Sequence, residues 1–222
     1  MITNQHPNLT IITSEKSDGN VRNIEGNDST KTLERQKKLA KAAKSDEKHT
    51  LRVRVNYERE DFCRFIADPE AEEYGLSAGE KTPVADGILI TNPKYGIFLP
   101  LADCLGIILH DPTKKHLMLI HAGRHTLEQK GATKAIKFMT DHGSQPEDII
   151  AHFSPSAGSK NYPLHKFAGQ SMAEVATSQL IKAGLQAKNI HQNNIDTTTN
   201  PRFYSHSTGD THARFGILVK MA

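Results

Sequence analysis

Between residues 85 and 121 the chain carries four short apolar runs: Ala85–Thr91 (ADGILIT), Ile97–Pro100 (IFLP), Leu105–Leu109 (LGIIL) and Leu117–His121 (LMLIH). Turn signals at Asn92-Pro93, Pro100 and Asp111-Pro112 separate them. Each run is rich in β-formers and apolar on both faces, so it has no side to offer water. Strands of that kind belong to a sheet covered on both sides. The greasiest stretch, Gly96–Leu109, is broken by Asp103 and is shorter than the ~18 residues a membrane span needs.

The flanking segments supply candidates for the cover. Leu9–Thr13 (LTIIT) reads as a strand, and residues 30–45 as a surface helix capped by Asp28 or Ser29. In that helix Leu33, Ala40 and Ala43 form a thin apolar stripe, and its basic face is expected to be solvated. Leu51–Val55 (LRVRV) alternates like a half-buried strand, and an acidic loop follows over Ala67–Glu80. Further along, Leu127–Met139 has helical spacing with Gly143 as its stop, and Ile149–Phe153 reads as a strand. A helix is predicted from about 165 to 183, ending at Gly184, and Phe215–Val219 is the last strand. This order is not a regular βαβ alternation. It predicts a single α+β domain with a mixed central β-sheet structure and helices on both sides. Residues 1–50, densely charged and poor in large apolar groups, are expected to form a loosely packed segment of the same domain, with the core over 51–222.

With 222 residues, the chain is long enough to bury a core without disulfides. Two cysteines, Cys63 and Cys104, exclude a disulfide-rich secreted scaffold, and they are expected to stay unpaired. A net charge of +3 gives no argument for nucleic acid, and nothing predicts a membrane partner. No basic region followed by an apolar stretch opens the chain, so the expectation is a cytoplasmic protein whose sequons at Asn8 and Asn27 go unused. Twelve histidines and no tryptophan are the compositional oddity, and they direct attention to metal or proton-transfer chemistry.

Dinucleotide, P-loop, zincin, CxxC and GxSxG signatures are all absent. The strongest local signal is Ala102-Asp103-Cys104 followed by His121-Ala122-Gly123. Cys104 precedes one apolar run and His121 ends another. An antiparallel hairpin turning at Asp111-Pro112 would bring the two together. A thiol beside an imidazole is a nucleophile pair, half of a zinc site, or simply a packed cysteine next to a core histidine.

The order ADGILIT, ADC, HAG resembles the YfiH family, also known as the multicopper polyphenol oxidoreductase (laccase domain) or purine nucleoside phosphorylase family. The likeness extends to Ser154–Gly158 with Tyr162, to Phe203–His206 and to Ala213-Arg214, with a faint echo at Thr13–Gly19. It implies α/β/β/α layers and a zinc held by Cys104, His121 and a histidine of a QxHG motif. Here Tyr57 stands in the place of that histidine, and it is expected to point into the same pocket. In the HAGWRG motif, Arg124, His125 and Thr126 replace the last three residues. Asp196 replaces a cysteine and Ser207 an arginine.

His125, four residues after His121, is the substitute ligand, because His-x3-His is a familiar zinc spacing. The candidate metal set is therefore Cys104, His121 and His125, and the candidate catalytic set adds Tyr57. Arg124, Arg214 and Lys16 are candidates for phosphate. Copper oxidase chemistry is disfavoured, since no His-x-His pair occurs among the twelve histidines. By resemblance, the expected activity is zinc-dependent purine nucleoside phosphorolysis or adenosine deamination, with purine nucleoside and phosphate as ligands. The alternatives are a catalytically degenerate member of the fold or a peptidoglycan-precursor editing hydrolase.

Overall fold

A computed structural model describes residues 1–22 and 29–222. Its strands are β1 (Ile2–His6), β2 (Leu9–Thr13), β3 (Thr50–Arg52), β4 (Phe65–Ala67), β5 (Gly87–Ile90), β6 (Gly96–Leu101), β7 (Leu105–Asp111), β8 (His116–Ala122), β9 (Ile150–Phe153), β10 (Ile190–His191) and β11 (Phe215–Met221). The helices are α1 (Ser29–Ala42), α2 (Ala71–Tyr74), α3 (Arg124–Glu128), α4 (Gly131–Asp141) and α5 (Met172–Lys182). The strands form two mixed sheets, ordered β1-β2-β11-β6-β3 and β10-β9-β7-β8-β5-β4.

Alternation along the central strands sorts the apolar side chains into three cores. Ile88, Ile90, Ile108, Leu117 and Leu119 of the second sheet meet Leu51, Ile97, Leu99, Ile217 and Val219 of the first. Their neighbours Leu89, Ile107, Leu109, Met118 and Ile120 point the other way, onto Ala132, Ile136, Val175 and Leu180 of α4 and α5. On the far side of the first sheet, Ile12, Phe98 and Leu218 are covered by Leu39 and Ala40 of α1. The layers are thus helix, sheet, sheet, helix. Runs apolar on both faces are what two inner layers require, since each of their strands packs against a neighbour above and below.

The first fifty residues correct the expectation of a loosely packed segment. β2 pairs with β11 over five residues, from Leu9↔Met221 to Thr13↔Ile217, and Leu9 and Ile12 are fully buried. Charge density misled there because, among the described residues, the charges lie on α1 and the loops while Leu9, Ile11, Ile12, Val21, Leu39 and Ala40 are buried. The cap candidate Asp28 lies outside the described residues, and Ser29 is the first residue of α1. The LRVRV run forms a ladder only over Thr50–Arg52, continued by a bridge from Arg54 to Ala85.

The helix expected over 127–139 is two. Lys130 adopts the left-handed region (φ 60°), and Gly131 then packs so closely that a Cβ would lie 2.7 Å from the Thr126 carbonyl oxygen. The helix expected over 165–183 starts later, at a Ser171–Glu174 capping box, because Ala168 and Gly169 both turn through positive φ. The short strands β1, β4 and β10 went unanticipated. Among the described residues no helix is long and apolar enough to cross a membrane.

Candidate active site

β7 and β8 form the expected antiparallel hairpin, with Gly106 opposite His121 and Leu105 opposite Ala122. Its turn is tied by Asp111 Oδ1, which accepts from the amides of Thr113 and Lys114. The open end of this hairpin therefore holds Cys104 and His121 together. Asp103, immediately before Cys104, adopts the left-handed region (φ 74°). Gly123 closes the arrangement from above: a Cβ on it would lie 2.9 Å from His121 Cε1 and 3.1 Å from Cys104 Sγ. Only a glycine lets the HAG backbone pass that close.

Tyr57 completes a trio. Its hydroxyl lies 3.2 Å from His121 Nε2 and 3.9 Å from Cys104 Sγ. Tyr57 as a whole is 59% exposed, while His121 is only 4% exposed. Burial pushes the Cys104 thiol up to about 11 and the His121 imidazole down to about 4. The adjacent Cys104 sulfur, followed by desolvation, raises the Tyr57 phenol well above its ordinary value. Near neutral pH the trio is thiol, neutral imidazole and phenol, so the thiolate–imidazolium pair is not formed. His121 Nδ1 is buried with no hydrogen-bond partner. A proton there would be an unmet donor, so the favoured tautomer carries it on Nε2 and donates to Tyr57 Oη.

These donors do not fit a zinc ion. A catalytic zinc takes three protein ligands and an open position, and a metal-bound histidine anchors its other nitrogen on a second partner. Among the described residues, no three His, Cys, Asp or Glu side chains stand where they could hold a metal together. His121 lacks the second anchor. The proposed substitute ligand, His125, stacks on Phe62 instead (ring centroids 4.7 Å, planes 19° apart) and lies 3.3 Å from Arg124 Nη2. The corner facing both Nε2 and Sγ is taken by a phenol that keeps its proton.

Two cavities meet at the trio, and Tyr57, His121, Pro100 and Arg214 line both. One, of about 340 Å³, has aromatic walls from Phe62, Tyr162, His125 and His206, with Arg124 at its edge. The other, of about 410 Å³, is lined by Arg22, Arg52, Arg54 and Arg214. Of the phosphate candidates, Arg214 stands at the junction and Arg124 beside the aromatic cavity. Lys16 reaches neither: it pairs with Asp210 at 2.9 Å and lies over the Tyr204 ring. Phe62, Arg22 and Arg54 were not singled out from sequence, and Tyr162 was marked only by the family likeness, without a role.

The substituted family positions have local partners here. Ser207 donates from its amide and hydroxyl to Asp103 Oδ2, and Thr197 donates to Oδ1. Asp196 accepts from Gly158 and Thr198. Together they pin the loops around 156 and 196–207 to the turn that carries Cys104. Cys63 and Cys104 are both free thiols.

A family model described as multi-copper polyphenol oxidoreductase laccase matches residues 12–178. A purine nucleoside phosphorylase of Mycobacterium tuberculosis is 25% identical over 154 residues, covering 61% of this chain and 62% of that protein. The purine nucleoside phosphorylase YlmD of Bacillus subtilis is 27% identical over 146 residues, covering 54% of this chain and 52% of its own length. The aligned region thus spans little more than half to three fifths of these curated relatives. Among solved structures, Bacillus licheniformis hypothetical protein YfiH superposes with a TM-score of 0.85 at 19% identity, covering 96% of this chain and 93% of that one. YlmD from Geobacillus stearothermophilus gives 0.81 at 18%, covering 96% and 91%. These two likenesses speak for the fold alone.

Proposed function

The chain belongs to the multi-copper polyphenol oxidoreductase laccase family, and from that premise we propose that it is a purine nucleoside phosphorylase whose chemistry runs on protein groups in place of zinc. The observation that carries the reading is the Tyr57 hydroxyl held 3.2 Å from His121 Nε2 where an aromatic cavity and a cationic one meet. A flat base stacks in the aromatic cavity between Phe62 and Tyr162. Arg214, at the junction, binds phosphate as a guanidinium fork.

In phosphorolysis a phosphate oxygen forms a bond to C1′ of the ribose as the C1′–N9 bond breaks. The bonding pair leaves with the base, and the products are free base and ribose 1-phosphate. Charge that develops on the leaving base needs a donor already aimed at it. The phenol of Tyr57 is that donor. It keeps its proton at neutral pH, and accepting from His121 Nε2 leaves its own O–H free to point at the ligand. Cys104 remains a packed thiol beside the pair and takes no nucleophilic part.

The test is phosphate-dependent release of base from adenosine and inosine, using protein freed of metal by chelation. Turnover is expected to survive chelation and to fall about 10²-fold in Tyr57→Phe, the size of a lost general-acid contribution. Turnover that vanishes on chelation and returns with zinc overturns the metal-free reading. The missing donor set also favours a second reading, a nucleoside-binding protein without activity. Binding of adenosine with no release of base, deaminated product or hydrolysed product establishes that alternative.

A further inference from the structure

Arg214 is the residue just before β11, at the end of a connection over 201–213 that has no strand or helix of its own. A side chain carried on such a segment stands only where the backbone beneath it is tied down. The guanidinium is moored to that backbone: Arg214 Nη1 donates to the carbonyls of Thr211 (3.2 Å) and Ala213 (2.7 Å). The remaining N–H groups of the fork are left for a ligand where the two cavities meet. Its place in the site therefore follows the path of residues 211–214.

One side chain from the far end of the sequence sets that path. Asn20 Oδ1 accepts from the Arg214 amide (2.9 Å), and Asn20 Nδ2 donates to the His212 carbonyl (3.2 Å). A planar carboxamide offers an acceptor and a donor side by side, so it pairs with the loop as the backbone of a neighbouring strand would. The Val21 amide extends the pairing by donating to the Arg214 carbonyl (3.0 Å). Asn20 is held in turn, because Arg35 Nη1 of α1 donates to its carbonyl (3.0 Å) and its Oδ1 also accepts from the Arg22 amide (2.9 Å). Asn20 itself lines neither cavity.

We propose that Asn20 is a positioning residue for Arg214, so that phosphate affinity depends on a side chain that touches no ligand. The inference rests on the reading of Arg214 as the phosphate fork. Paired hydrogen bonds from a guanidinium to phosphoryl oxygens need both groups in register, and a small displacement of the loop breaks that register.

Orthophosphate titration by calorimetry and rates of base release from inosine, both on the full chain, test it. In Asn20→Ala, orthophosphate is expected to bind about tenfold more weakly, the value of a charge-assisted contact. KM for phosphate is expected to rise by the same factor, with kcat and KM for inosine within about twofold of wild type. Asn20→Ser, whose hydroxyl reaches at most one of the two backbone groups, is expected to fall between. Arg214→Lys keeps a cation but replaces the moored fork with a point charge on a flexible stem. In that background the effect of Asn20→Ala is expected to shrink to within about twofold, the mark of a loss that runs through Arg214. Phosphate affinity unchanged in both Asn20 variants overturns the clamp and leaves the proposed function standing. A loss that persists in full beside Arg214→Lys, or that weakens inosine equally, reports general loosening and also overturns the clamp. Phosphate binding that needs Asn20 through Arg214, with no base released, keeps the clamp and overturns the phosphorylase reading. Wild type with neither phosphate binding nor base release overturns both.

Discussion

A phenol is a poor ligand for zinc and a good neighbour for a neutral imidazole, so one residue, Tyr57, decides what this centre can be. Its oxygen faces both Nε2 of His121 and Sγ of Cys104. Replacing it with an imidazole would put a third donor of the right type at that corner. Tyr57→His is therefore expected to bind about one zinc per chain after chelation and re-addition, where wild type retains none. Metal analysis of the dialysed proteins checks this, and a variant that stays zinc-free shows the corner to be out of reach. The Cys104–His121 pairing was legible in the sequence, because strand edges and a turn signal fix which ends of a hairpin meet. The direction of Tyr57 followed from the family resemblance. The side chains of His125 and Lys16 were not legible. Each is captured by a group distant in sequence, Phe62 in one case and Asp210 in the other, and helical spacing carries no information about such partners.

The elements that were easiest to foresee are those whose pattern and packing agree. β2, β6, β7, β8 and β9 fall on the apolar runs between turn signals, since period-2 alternation between two cores demands apolar residues at every position. Breaks inside helical patterns are harder. Lys130 is a good helix former, and nothing in Leu127–Met139 announces that it turns through φ 60°. The cause lies next to it: Gly131 sits against the Thr126 side chain and carbonyl, where no Cβ fits. Gly131→Ala would ordinarily favour a helix, yet here it is expected to destabilise the fold by about 1–3 kcal/mol, the range for overpacking. A denaturant midpoint clearly below that of wild type checks the claim. An unchanged or raised midpoint means that α3 and α4 can separate without loss.

At the scale of the whole molecule, the family resemblance carried the two sheet layers, but which strands make up each layer was not legible. The first sheet joins both ends of the chain, with β2 pairing to β11 across about 200 residues. Joining distant segments also gathers histidines into the interior. His110, His116, His121 and His152 are all buried, and burial lowers the pKa of each, to about 4 for His121 and about 3 for His152. His152 is further disfavoured as a cation by its place in a stack, 4.2 Å from the His6 ring and 4.7 Å from His191. In the unfolded chain these imidazoles titrate near 6.5. Between that value and about 4 the unfolded chain therefore holds protons that the native protein excludes. Stability must fall as pH falls through that window, by up to about 1.4 kcal/mol per pH unit for each such histidine. Asp86 works in the opposite sense, because burial raises its pKa and the native protein keeps that proton longer. It therefore offsets part of the loss. Denaturant midpoints at pH 7.5, 6.0 and 5.0 are expected to decrease in that order, and His152→Gln is expected to flatten the decrease. A midpoint that holds steady or rises from pH 7.5 to 5.0 would show that these imidazoles accept protons in the folded state, and the neutral state assigned to His121 would be overturned.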